Sequence, residues 1–188
     1  MKQIRNQEMK KIEGPAAKTP PEKYGGSPDE RRAWKRTAKM EQIIETHGAE
    51  ETFALGKKIG KSARPGQVYA LNGDLGAGKT VFTQGVAAGL GITEPVNSPT
   101  FTILQIYENG RLPFYHFDVY RIGDVEEMEE IGYEDCFYGE GVCLVEWAGL
   151  IEEILPENCI RIEIAKNLSS GFDYRTIKIE QNRTEVGI

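Results

Sequence analysis

The run Gly73-Asp74-Leu75-Gly76-Ala77-Gly78-Lys79-Thr80 matches the pattern G-x-x-x-x-G-K-[ST] at every fixed position. Small residues in such a run let successive backbone N–H groups wrap around an anion. A helix beginning at the end of the run points its N-terminus at the same charge. Lys79 is placed to contact β- and γ-phosphate oxygens, and the Thr80 hydroxyl to ligate Mg²⁺. Gly73 through Thr80, with Val81 behind them, are the candidate nucleotide-binding residues. The flanks agree: Gln67–Leu71 (QVYAL) predicts a strand, and Lys79–Leu90 (KTVFTQGVAAGL) a helix stopped near Gly89 and Gly91. A chance match in a chain of this length is expected in about one chain in a hundred, and the required strand–loop–helix context makes it rarer still.

A phosphate-binding loop of this kind needs an acidic partner for the metal, usually at the end of a buried strand. Two apolar runs end in a carboxylate, Phe114–Asp118 (FYHFD) and Val142–Glu146 (VCLVE). One would hold Mg²⁺ or its waters and the other would orient the attacking water; the sequence leaves open which does which. Ser98-Pro99-Thr100-Phe101 lies where a switch loop would sense a γ-phosphate, with Thr100 its candidate catalytic residue, although a proline turn entering a strand has the same pattern. Trp147 follows Glu146 directly and reads either as an aromatic stacked on a base or as a core or interface residue. His116 has no Cys or His neighbour and reads as a hydrogen-bonded structural histidine. Arg121 is placed to pair with a carboxylate or a phosphate.

The remaining patterns extend this core. Met40–Thr46 predicts a strand, Glu50–Ile59 a helix, and Arg64-Pro65-Gly66 a turn. Thr100–Tyr107 and Leu112–Tyr120 read as extended runs joined by a hairpin at Asn109-Gly110. Val125–Glu130 predicts an acidic helix and Leu150–Leu155 a short one, while Cys159–Ala165 and Tyr174–Glu180 alternate as strands do. The expected architecture is α/β: a P-loop NTPase-like mixed sheet, parallel plus antiparallel, flanked by helices, forming a single domain over residues 40–188.

The 188 residues carry a net charge of −6, unevenly spread. Residues 1–39 are rich in proline, carry a balance of +6 and predict a flexible basic extension, while residues 40–188 carry −12. Arg31-Arg32-Ala33-Trp34-Lys35-Arg36 mixes cations with an aromatic, as an RNA- or partner-binding arm would. The acidic body argues against direct nucleic-acid binding by the globular part. No apolar run approaches the ~18 residues of a membrane span, and neither a secretory nor a twin-arginine signal is legible. Cys136, Cys143 and Cys159 form no C-x-x-C and, with only His47 and His116 besides, supply no zinc ligand set. A reduced cytoplasmic protein without disulfides or membrane contact is expected. N-K-x-D and D-x-x-G motifs are absent, which argues against a GTPase. An arginine-rich lid is also absent, which argues against a small-molecule kinase.

Taken in order, residues 71–80, Ser98-Pro99-Thr100-Phe101, His116–Arg121 (HFDVYR) and Glu146-Trp147 resemble the bacterial TsaE family, formerly YjeE. The resemblance spans about residues 41–165. It implies an ATPase using ATP and Mg²⁺ in the biosynthesis of N6-threonylcarbamoyladenosine at position 37 of tRNAs reading ANN codons. It also implies work alongside TsaB, TsaC and TsaD, with binding to the TsaB–TsaD pair and ATP hydrolysis that resets that complex, so that tRNA is reached indirectly. By motif, Lys79 and Thr80 take phosphate and Mg²⁺, Asp118 and Glu146 serve metal and hydrolysis, and Thr100 belongs to a switch-like loop. Trp147 lies near the nucleotide or the partner. Nothing carries over to residues 1–39. The alternatives from other classes are a small-molecule P-loop kinase and a nucleotide-gated binding module with negligible hydrolysis.

Overall fold

The computed structural model describes residues 10–11 and 36–185. The expectations for the basic extension and its Arg31–Arg36 arm therefore fall almost entirely outside the described residues. Strand β1 is Lys10–Lys11 and β2 is Arg36–Thr46, which begins four residues earlier than the pattern predicts. Helix α1, Ala49–Ser62, leads to β3, Val68–Asn72, and the glycine loop then feeds helix α2, Lys79–Leu90. Strands β4, Leu104–Tyr107, and β5, Phe114–Asp118, form an antiparallel pair. Two short helices follow, α3 (Glu127–Glu130) and α4 (Tyr133–Phe137), before β6, Val142–Glu146. A 3₁₀ segment over Ala148–Ile154 precedes β7, Ile160–Lys166, and β8, Arg175–Glu185.

One sheet takes the order β1-β2-β8-β7-β3-β6-β5-β4. Its centre is parallel, β7 with β3, β3 with β6 and β6 with β5, and its two margins are antiparallel. This is the mixed α/β sheet the sequence predicts. The central strands are buried on both faces, so β3 and β6 read as continuous apolar runs. Alternation sorts their side chains. Tyr69, Leu71, Val142 and Leu144 face α1 and α2. Val68, Ala70, Cys143 and Val145 face α3, α4 and the 3₁₀ segment. All three cysteines are buried and unpaired. Among the described residues no helix is long and apolar enough to cross a membrane.

Helices α1 and α2 approach through glycines. A β-carbon at Gly56, Gly60, Gly85 or Gly89 would lie 2.1–2.4 Å from a backbone oxygen of the facing helix. Gly89 is therefore interior rather than a stop, and Gly91, at φ +87°, ends α2. Other sequence expectations also need correction. Thr100–Ile103 forms a turn, with the Thr102 and Ile103 N–H groups donating to the Pro99 carbonyl and Ile103 at φ +62°, so β4 starts only at Leu104. Asn109-Gly110 does not make a two-residue turn. The loop spans 108–113 because it docks on the helices: Arg111 donates from its backbone to Leu90 O and from its guanidinium to Gly60 O and Ala63 O. The acidic run folds as α3 only over Glu127–Glu130, and α4 has no clear signal in the sequence.

Candidate functional site

The parallel register of β5 with β6 sets Asp118 beside Glu146 and His116 beside Leu144. Side chains two apart share a face, so His116, Asp118 and Glu146 all point to the α2 side of the sheet. The glycine loop leaves β3 between β6 and β7 and delivers α2 directly above these strand ends. Two glycines make the loop possible. Gly73, at φ +147°, passes so close to β7 that a β-carbon would lie 2.4 Å from Ile164 O. Gly78 adopts φ +107° as the residue preceding α2. Phe82 has no exposed surface and seats α2 on the sheet, a burial worth roughly 1.5–3 kcal/mol.

A cavity of about 520 Å³ opens above the strand ends. Of the candidate residues, Leu75, Gly76, Ala77, Gly78, Lys79, Thr80, Val81, Thr100, Asp118, Glu146 and Trp147 line it. Gly73 and Asp74 stand behind the lining, and their carbonyls accept hydrogen bonds from Lys79 Nζ at 2.7 and 3.2 Å. The first N–H groups of α2 have no intrahelical acceptor, and Gly78 brings no capping side chain, so they form an anion cradle at the positive end of the helix dipole. The loop is braced from outside by Lys166 Nζ on Leu75 O and Arg175 Nε on Ala77 O, at 2.7 and 2.8 Å.

Lys79 is buried and its Nζ also lies 3.7 Å from the centre of the Trp147 ring. Burial pulls its pKa below that of an ordinary lysine, opposed by the charges of Glu146, Asp118 and Asp74. Trp147 holds a left-handed backbone at φ +64°, with its N–H on Leu71 O and its ring tilted against Tyr120 at 4.9 Å. Such a conformation costs an aromatic residue about 1–3 kcal/mol and clusters at functional sites. Asp118 Oδ2 accepts the hydroxyls of Ser98 and Thr100, the latter at 2.7 Å, and Oδ1 accepts Tyr120 N–H. Glu146 Oε1 lies 3.0 Å from His116 Nε2 and 3.1 Å from Thr83 Oγ1. Arg121 stays outside the cavity, its guanidinium 4.5 Å from the centre of the Phe101 ring.

Sequence reading did not select several members of this site. Thr83 lies one helical turn after Lys79, a spacing that places both on one face of α2. Ser98 has no role that the pattern of its loop assigns, yet its hydroxyl binds Asp118. Gly48, Ala49 and Thr52 from the start of α1, Asp173 just before β8 and Arg175 at its start also line the cavity. No local pattern marks these last five, because only the sheet order brings them here. No cluster of three or more Asp, Glu, His or Cys side chains suited to a metal exists among the described residues.

The family profile described as "Threonylcarbamoyl adenosine biosynthesis protein TsaE" matches residues 46–176. The chain is 54% identical over 132 residues to the tRNA threonylcarbamoyladenosine biosynthesis protein TsaE of Bacillus subtilis, covering 70% of this chain and 80% of that protein. It is 44% identical over 119 residues to the protein of the same name from Treponema pallidum, covering 63% of this chain and 87% of that one. Among solved structures, YdiB from Bacillus subtilis superposes with a TM-score of 0.65 at 46% identity, covering 75% of this chain and 85% of that one. The profile spans the residues that line the cavity, the fold is that of YdiB, and the chain belongs to the TsaE family of tRNA threonylcarbamoyladenosine biosynthesis proteins.

Proposed function

We propose that this protein binds ATP with Mg²⁺ in the cavity above β5 and β6 and hydrolyses it in the service of the TsaB–TsaD complex. In that role it modifies tRNA only indirectly and works in the cytoplasm. One observation carries the reading: Lys79 and Thr80, at the start of α2, share a single cavity with Asp118 and Glu146, at the ends of two parallel strands. A cation, an anion cradle and two carboxylates in one cleft fit a bound polyphosphate with its metal.

On this reading the α2 N-terminus takes the phosphates, and Lys79 leaves the Gly73 and Asp74 carbonyls to neutralise β- and γ-oxygens. Thr80, with the carboxylates of Asp118 and Glu146 directly or through water, would hold Mg²⁺, which neutralises phosphate charge in the transition state. The two carboxylates divide the remaining work by their hydrogen bonds. Asp118 accepts Ser98, Thr100 and the Tyr120 N–H, so it ties the Thr100 loop to the site. Among the described residues Glu146 accepts on Oε1 alone, leaving Oε2 to orient the attacking water. The −12 charge over residues 40–188 supports a protein partner rather than direct tRNA contact.

The test measures ATP turnover by the protein alone and then with purified TsaB–TsaD, no metabolite being added. Low basal turnover that rises with the partners is expected. Glu146→Gln should keep nucleotide affinity by calorimetry and lose turnover by about 10²–10⁴-fold, the usual contribution of a positioned base. Nucleotide binding without turnover under either condition would instead identify a gated binding module. Turnover raised by a metabolite alone would identify a kinase.

A further inference from the structure

His116 lies in the middle of β5 with no exposed surface, its ring stacked near Phe114 with centroids 6.0 Å apart. Its Nε2 is 3.0 Å from Glu146 Oε1. Its Nδ1 is buried without a hydrogen-bond partner among the described residues. Thr83 Oγ1 lies 3.1 Å from the same carboxylate oxygen and 2.9 Å from Lys79 O. Glu146 Oε2 has no partner among the described residues, and Glu146 lines the cavity.

A polar ring with one orphaned nitrogen is a costly occupant for a core position that an apolar aromatic would fill without loss. The cost is offset on the other side of the ring. A proton on Nε2 makes a charge-assisted bond to a carboxylate, roughly twice as strong as a neutral one. The other tautomer would set two lone pairs against each other and bury an unpartnered N–H. The orphaned Nδ1 thereby selects the Nε2–H form. The terminal torsion of a glutamate is broad and roughly two-fold, so a carboxylate at the floor of a cleft wanders unless donors hold it.

We propose that His116 is a positioning residue: as the Nε2–H tautomer it holds Glu146 Oε1, with Thr83 beside it, and thereby makes Oε2 the oxygen presented to the cavity. This rests on reading Glu146 as the group that orients the attacking water. His116 donates from β5, and Thr83 on α2 shares its single hydroxyl proton between Lys79 O and Glu146 Oε1, so the pair also ties the strand end to the helix that carries Lys79.

The test uses the full chain with TsaB–TsaD and three variants, H116F, H116Q and E146Q. H116F keeps the aromatic volume without the donor, and H116Q restores an N–H at about the reach of Nε2. Expected for H116F is nucleotide affinity within about threefold of the unmodified protein and a kcat lower by about 10–100-fold, with H116Q recovering most of it. H116F with unchanged kcat, while E146Q is inactive, overturns the proposal. If E146Q also leaves turnover unchanged, the role given to Glu146 is what fails. A second readout is independent of turnover and of the stability of any His116 variant. Nitrogen–proton correlation spectra of the imidazoles, of which there are only two, should show a protonated Nε2 and a bare Nδ1 for His116. That signal should move in E146Q. A bare Nε2, or no response to E146Q, overturns the hydrogen bond itself.

Discussion

Replacing Gly85 by alanine tests how α2, and with it the glycine loop, is held. In an exposed helix interior this change stabilises by about 1 kcal/mol, because glycine is the poorer helix former. Here the new β-carbon would lie 2.3 Å from Phe53 O, 3.0 Å from Lys57 N and 3.1 Å from Gly56 Cα. Ordinary contact begins near 3.4 Å, so the two helices must part by about 1.1 Å at that point. All three obstructing atoms are backbone, and Gly85 sits mid-helix, so neither fraying nor a rotamer change relieves the clash. Overpacking of this kind costs about 1–3 kcal/mol, and separation by an ångström forfeits part of the dispersion energy along the seam. With the cost at its upper end, the expected net loss is about 2 kcal/mol, equivalent to a Tm lower by roughly 4–8 °C for a chain of this size. Urea unfolding of Gly85→Ala, compared with the exposed Lys58→Ala on the same helix pair, gives the readout. The midpoint should fall for Gly85→Ala at unchanged slope and stay within about 0.5 kcal/mol for Lys58→Ala. A Gly85→Ala protein as stable as the unmodified chain would refute the close-packed seam. The start of α1 also lines the cavity, so the same variant should bind nucleotide more weakly.

Two further outcomes follow from charges the fold has placed. With Trp34 replaced by phenylalanine, ATP should change the emission of Trp147, because Lys79 must leave its face to reach phosphate; Lys79→Ala should abolish both the change and the calorimetric binding, and retained binding would remove Lys79 from the site. Glu180 is held down at a pKa of about 2, chiefly by the Lys178 ammonium with Lys39 nearby. Its pKa is depressed on folding, so its contribution is complete above the usual glutamate range and is lost as pH falls from about 4.5 toward 2. Unfolding free energies of Glu180→Gln should therefore depend less steeply on pH across that window than those of the unmodified protein, and parallel curves would contradict the assignment.

The elements legible in the sequence are those whose signal is local. The glycine loop, the α2 start at Lys79 and the two carboxylate-ended strands follow from spacing and from apolar runs, and each lies where the pattern puts it. The departures share a cause. The Asn109-Gly110 pair is a sound hairpin signal, yet Arg111 finds carbonyl acceptors on α1 and in the turn after it, and the loop lengthens to reach them. Thr100–Ile103 has strand-forming residues, but the hydroxyls of Ser98 and Thr100 bind Asp118 and turn the chain inward. In both cases a long-range hydrogen bond outweighs a propensity worth a few tenths of a kcal/mol per residue.

What the sequence determined alone is a set of chemical groups with correct local geometry: a glycine loop, a helix that starts where the loop ends, and acids at strand ends. Local dihedral preference and side-chain period suffice for that, since each acts over a few residues. Only the tertiary structure decided that Asp118 would stand beside Glu146, that Arg175 would brace Ala77 from 98 residues away, and that Thr83 and His116 would meet on one carboxylate oxygen. These depend on strand order and register, which are set by how the whole apolar core closes rather than by any stretch of chain read by itself.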